Sequence, residues 1–197
     1  IHSTYKIKCQ HNFSEIYILQ KINTHVFTNP ELLQKNISIL TAYLKEKHSK
    51  QKFHKDLNKN FKFISPLKSD EGNYYYKTPN QQYWRAYPFI GNSYSYDNIF
   101  NEKQAYEAGK AFGYLNFLLK EYPMHKISPT INKFHDMKFR YNEFLHSLKT
   151  DPLNRKREIS SEITFIKEYK NQMFRIHNLV KLNKLPLRIT HNDTKLN

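Results

Sequence analysis

Apolar positions along this chain follow two periods, and the change from one to the other divides it. Over Thr4-Tyr5-Lys6-Ile7-Lys8 apolar and polar residues alternate, and Ile16-Tyr17-Ile18-Leu19-Gln20-Lys21-Ile22 is rich in β-formers. Both read as strands. Gln10-His11-Asn12 breaks the pattern between them, so a hairpin is the economical connection. Asn29-Pro30-Glu31 marks a helix start, with Asn as N-cap, Pro at the first helical position and an acid in the first turn. Leu33, Ile37, Leu40 and Leu44 then recur at helical spacing through about Lys47, and the polar stretch Lys50–Asn60 reads as a loop. Phe61-Lys62-Phe63-Ile64 reads as a short strand stopped by Pro66. Asp70-Glu71-Gly72-Asn73 is a turn before a strand at Tyr74-Tyr75-Tyr76-Lys77. A second turn at Pro79-Asn80 leads into a strand over Tyr83-Trp84-Arg85-Ala86-Tyr87, punctuated by Pro88 and Gly91.

Beyond that point the period is helical. Ala105, Ala108, Gly109, Phe112, Leu115 and Leu119 form one face, whose small residues would let another element approach closely. Residues from about Asn132 to Leu148 read as a second helix, and Ile159, Ile163, Ile166, Met173, Ile176 and Val180 as a third. Leu187-Arg188-Ile189-Thr190 reads as a short strand or loop after Pro186. The order is β-β-α-β-β-β and then helices. Strands segregated from helices give an α+β chain with two lobes. The expected domains are a sheet-bearing lobe over 1–90 and a helical lobe over 91–197, joined near Ile90–Asn98.

The chain has 197 residues and a formal net charge of +15. Such charge is one footprint of nucleic-acid binding. Here the excess is diffuse: Lys45, Lys47, Lys50, Lys52, Lys55, Lys59 and Lys62 alternate with Asn, His and Gln. A solvated surface is the expected reading, and nucleic acid is not an expected partner. Aromatic residues at 15% supply enough apolar surface for a core. No apolar run approaches the roughly 18 residues of a membrane span, and no membrane partner is expected. One cysteine, Cys9, excludes an internal disulfide and a cysteine-rich zinc site, and a reducing cytoplasm is the expected compartment. The ten histidines are scattered without a supporting cluster, so no zinc site is expected.

The residues richest in chemistry are His191-Asn192-Asp193-Thr194-Lys195-Leu196-Asn197. A His-x-Asp loop after a short apolar segment, in the helical part of such a chain, resembles the catalytic loop of protein-kinase-like phosphotransferases. Other stretches are similar to the N-acetylhexosamine 1-kinases of the aminoglycoside phosphotransferase and choline kinase superfamily. They are Tyr17-Ile18-Leu19-Gln20-Lys21-Ile22-Asn23-Thr24-His25-Val26-Phe27, Trp84-Arg85, Ala105–Gly113 and Phe134-His135-Asp136. The resemblance implies a two-lobed kinase-like fold: an antiparallel sheet plus a helix in the N-terminal lobe, and a mostly helical, incomplete C-terminal lobe. It implies ATP with Mg2+ as cofactors and a small-molecule hydroxyl, a sugar first, as phosphoryl acceptor. Choline, homoserine or an aminoglycoside is the alternative acceptor.

On this resemblance Asp193 is the catalytic carboxylate at the acceptor hydroxyl, Lys195 a cation on the γ-phosphate, and His191 a brace for the loop. Lys21 is the candidate phosphate-binding lysine of the sheet. Gln20 is its rival, because a one-residue slip reverses the face. Glu31 is the candidate helix glutamate for that lysine, although a first-turn Glu is already explained by the helix dipole. Backbone groups of Tyr87, Phe89 and Ile90 are candidates for the adenine edge. His135, Asp136 and Arg140 are candidates for the sugar, set against a surface ion pair between Asp136 and Arg140, four apart on a helix. Metal ligands are expected only beyond Asn197, where the family's metal-binding Asn and Asp would fall. A glycine-rich phosphate loop would precede Thr4. The chain therefore reads as an internal piece of a longer kinase, inactive as it stands. Cys9 lacks the Cys-x-Pro-x-Arg setting of a sulfatase nucleophile. A basic binding module without catalysis is the alternative from another class.

Overall fold

The computed structural model describes residues 1–10, 15–51 and 61–194. The chain is α+β, a four-stranded antiparallel sheet with five α-helices among the described residues. It forms two compact units, one of Ile1–Ile131 with the described residues from Arg188 onward, the other of Asn132–Leu187. The stretch Ile90–Asn98 lies within the first unit.

In the first unit β1 (Ser3–Lys8) and β2 (Ile16–Lys21) pair antiparallel, with Thr4 opposite Gln20 and Lys6 opposite Ile18. The alternation that predicted the hairpin sets this register, because a one-residue slip would turn every side chain to the other face. Next come β3 (Tyr76–Lys77) and β4 (Tyr83–Pro88), and the order across the sheet is β1-β2-β4-β3. β2 also pairs with β4, Gln20 opposite Arg85 and Lys21 opposite Trp84. Two turns lead into this part. Gly72 sits at φ +81°, donating its N–H to the Ser69 carbonyl at 2.8 Å, a conformation that costs a residue with Cβ. Between β3 and β4 the Gln81 N–H closes onto Thr78 O at 2.9 Å.

Helix α1 (Pro30–Ser49) begins as its sequence predicts, with Asn29 Oδ1 accepting the Leu32 N–H at 2.9 Å. Helix α2 (Glu102–Leu119) is capped by Asn101 through the Gln104 N–H, while the Gln104 side chain accepts the Phe100 N–H in return. The core lies between these helices. Leu44, Tyr114, Leu118, Leu119 and Tyr122 form it, with Tyr43, Phe61, Phe63 and Ile189 packed against it.

This core explains a correction. Phe61–Ile64 is not a strand. The Phe61 ring lies 5.1 Å from Tyr114 and Phe63 lies 5.5 Å from His48, so both rings are taken up by helices. The Tyr74–Lys77 strand is shorter than expected, covering Tyr76–Lys77 alone. No described residue makes the close approach expected at Gly109: a Cβ there would meet nothing within 4 Å among the described residues. Of the loop expected over Lys50–Asn60, residues 52–60 lie outside the described residues, as does 11–14 of the hairpin turn.

In the second unit α3 (Met137–Thr150) starts later than the periodicity suggested, because Asp136 caps it and ends the preceding turn. The third expected helix is divided. Lys156–Ile159 is a 3-10 turn, and α4 (Ser160–Glu168) and α5 (Lys170–Lys181) follow, separated at Tyr169, whose ψ is 7°. The Phe165 and Tyr169 rings stack at 4.4 Å across that break. Tyr141 is buried and meets Phe174 edge-on at 5.6 Å. Leu187–Thr190 is loop. No described helix is long and apolar enough to cross a membrane.

Candidate functional site

The segment leading to His191 is held at two successive residues. Arg188 Nη1 donates to the Lys120 carbonyl just past α2 at 3.0 Å, and Ile189 packs on the core. The His191 ring meets Phe112 of α2 edge-on at 5.6 Å. Thr190 Oγ1 donates to the Asn192 side-chain oxygen, and Asn192 sits at φ +62°. Asn tolerates this left-handed conformation better than most residues. The backbone therefore turns sharply just before Asp193, whose side chain is exposed. His191 is tied to a helix, and Asp193 meets solvent. Lys195 lies outside the described residues.

On the sheet, Gln20 and Lys21 occupy opposite faces. Gln20 shares its face with Thr4 and Arg85: its Nε2 donates to Thr4 Oγ1 at 2.9 Å, and its Oε1 accepts Arg85 Nε at 3.0 Å. Lys21 lies on the other face, in register with Ser3 and Trp84, and lines a pocket of about 410 Å³ with Asn23, Thr24 and His25. Glu31 is not brought to Lys21. Its carboxylate accepts the Tyr83 hydroxyl at 3.1 Å, and Tyr83 belongs to the Gln20 face by strand alternation.

The candidates for the adenine edge are largely committed elsewhere. The Phe89 N–H donates to the Ile16 carbonyl at 3.0 Å, and the Ile90 carbonyl accepts Ser93 Oγ at 2.7 Å. Tyr87 pairs with Ile18 in the ladder. Its half-buried hydroxyl is raised above its ordinary pKa by desolvation.

Arg85 is the residue that sequence reasoning missed, since its strand pattern says nothing of cross-strand partners. Its guanidinium is half-buried, fixed through Nε by Gln20, and lies 5.3 Å over the Tyr87 ring. Desolvation lowers its pKa from the usual arginine value. Lys6 lies on the same face with its amine 4.1 Å from the Phe89 ring centre.

His135, Asp136 and Arg140 belong to the second unit. Asp136 caps α3, accepting the Lys138 and Phe139 N–H groups at 3.0 Å, and its carboxylate lies 3.8 Å from His177 Nδ1. The Phe139 N–H, first among several causes, holds its pKa below the usual carboxylate range. The expected ion pair with Arg140 is replaced: Arg140 meets Glu143 at 2.7 Å and donates through Nε to the Phe134 carbonyl at 3.0 Å. Asp136 is occupied as the helix cap, and Glu143, three residues after Arg140, is the partner instead. His135 packs on the Phe134 ring at 4.6 Å.

Among the described residues no group of three or more His, Cys, Asp or Glu side chains could hold a metal ion. The described residues therefore do not fit magnesium. Comparison with models of known protein families gives no match for this chain.

Proposed function

We propose that the chain serves a small-molecule phosphotransferase of the kinase-like type, which moves the γ-phosphoryl group of ATP to a hydroxyl, foremost the anomeric hydroxyl of an N-acetylhexosamine. The observation that carries the reading is the Asp193 loop. Its carboxylate is exposed directly after the left-handed Asn192, on a segment clamped at Arg188 and Ile189. Phosphoryl transfer asks the protein mainly for positioning and charge, and a braced loop offering one carboxylate supplies the positioning. In this reading Asp193 orients the acceptor hydroxyl and takes its proton. His191, held against Phe112, keeps the loop in place. Lys195 meets the transferred phosphoryl group.

The test is a coupled ADP-release assay on the native gene product. The acceptors are N-acetylgalactosamine, N-acetylglucosamine, choline, homoserine and an aminoglycoside. Turnover is expected with an N-acetylhexosamine, and Asp193→Asn is expected to lower kcat by about 10²–10⁴-fold. Silence toward every acceptor, or full turnover in Asp193→Asn, would sink the proposal.

A further inference from the structure

Strands β1, β2 and β4 carry Lys6, Lys8, Lys21 and Arg85 and not a single Asp or Glu. Strand alternation puts Lys6, Lys8 and Arg85 on one face and Lys21 on the other. Glu15, just before β2, accepts the Tyr17 hydroxyl at 2.8 Å, and Tyr17 is on the Lys21 face. The only acid that reaches the Arg85 face among the described contacts is Glu31, held by Tyr83 one row away.

Arg85 is the unusual member. A half-buried guanidinium is normally matched by a carboxylate, because removing it from water is costly. Among the described residues no carboxylate oxygen lies within 4.0 Å of it. Its Nε is instead spent on neutral Gln20, and Gln20 is itself held by Thr4. Gln20, itself fixed by Thr4 of the same cross-strand row, thus holds the guanidinium, and no carboxylate among the described residues compensates its charge. The guanidinium fork fits two oxygens of one anion at once. Lys6 supplies a second cation. Arg85 lies over the Tyr87 ring and Lys6 over the Phe89 ring, side chains two apart on one face, roughly 7 Å along a strand. Two cations presented on one face suit a diphosphate better than a single small anion.

We infer that the Thr4–Gln20–Arg85 row, with Lys6, is an oxyanion site for a diphosphate group, free or carried by a nucleotide, and that Arg85 rather than Lys21 is its cation. The site rests on the sheet's geometry and needs no kinase chemistry. Gln20→Glu offers a sharp control. It sets a carboxylate against Arg85, satisfies the cation from within and removes the reason to bind an anion.

The experiment is calorimetric titration of the full chain with inorganic pyrophosphate and, separately, with ADP, folding being checked by far-UV circular dichroism. Pyrophosphate is expected to bind. Arg85→Gln and Gln20→Glu are each expected to weaken it by at least about tenfold, and Lys21→Gln by less than about twofold. Gln20→Glu is also expected to raise Tm, so a folding failure of Arg85→Gln leaves the question decided by Gln20→Glu. Absence of pyrophosphate binding at about 10 mM overturns the site. So does a tenfold loss in Lys21→Gln with Gln20→Glu unchanged. Binding of ADP with the same loss in the two variants supports the site in its nucleotide form. Binding of pyrophosphate without ADP supports the site while removing the nucleotide from the phosphotransferase reading.

Discussion

Gln20 and Lys21 differ by one position along β2 and by a whole face of the sheet. Which of them shares a face with Arg85 is a matter of register, and register belongs to pairs of strands. Asp136 shows the same dependence on context. As a sequence it suggested a sugar contact or an ion pair, and in the fold it is a helix cap. In the folded chain its pKa is held below the usual carboxylate range, chiefly because the Phe139 N–H bonds to the charged form. A depressed carboxylate pKa adds stability that is present above the unfolded value and lost as pH falls through the folded one. Thermal melts should show this directly. Asp136→Ala should lower the Tm of the helical unit at neutral pH, whereas Asp136→Asn keeps a cap acceptor and should lose less. As pH falls below the ordinary aspartate range the wild type should lose stability more steeply than Asp136→Asn. Equal slopes would remove Asp136 from the acid response.

At the scale of elements, α1 and α2 hold the first unit together. Leu118 is 2% exposed between them. Leu118→Ala should cost about 2–5 kcal/mol in urea unfolding. A loss near zero would mean the α1–α2 core is not where stability resides. Much of this level was legible in the sequence. The hairpin followed from alternation, and α1 from Asn29-Pro30-Glu31, because caps and pleats are local. What failed was not local. Phe61 and Phe63 carry strand propensity, yet a helical core claims both rings. The helix over Ile159–Val180 kept its period through Tyr169, where the backbone breaks without Gly or Pro. For the candidate site, the Asp193 loop could be read as a motif. The bond from Arg85 to Gln20 could not, since 65 residues separate them.

At the scale of the molecule, the two units differ in how much they bury. The first contains the five-residue buried cluster around Leu118. In the second, Tyr141 is the buried side chain among the described residues, while Phe165, Ile176 and Leu182 stay exposed. Protection from hydrogen exchange follows burial and packing. Amides of α3, α4 and α5 should therefore exchange faster than those of the inner turns of α1 and α2. Slower exchange in α3–α5 would refute that ranking. Trp84 adds a practical consequence. It is the only tryptophan in the chain, and it stands in the middle of the sheet with the Tyr5 ring 6.0 Å away. Indole emission thus reports on one unit alone, while a far-ultraviolet signal sums helices from both. If the units come apart at different denaturant concentrations, those two optical curves will not superimpose, and a single midpoint fitted to either would describe only part of the protein.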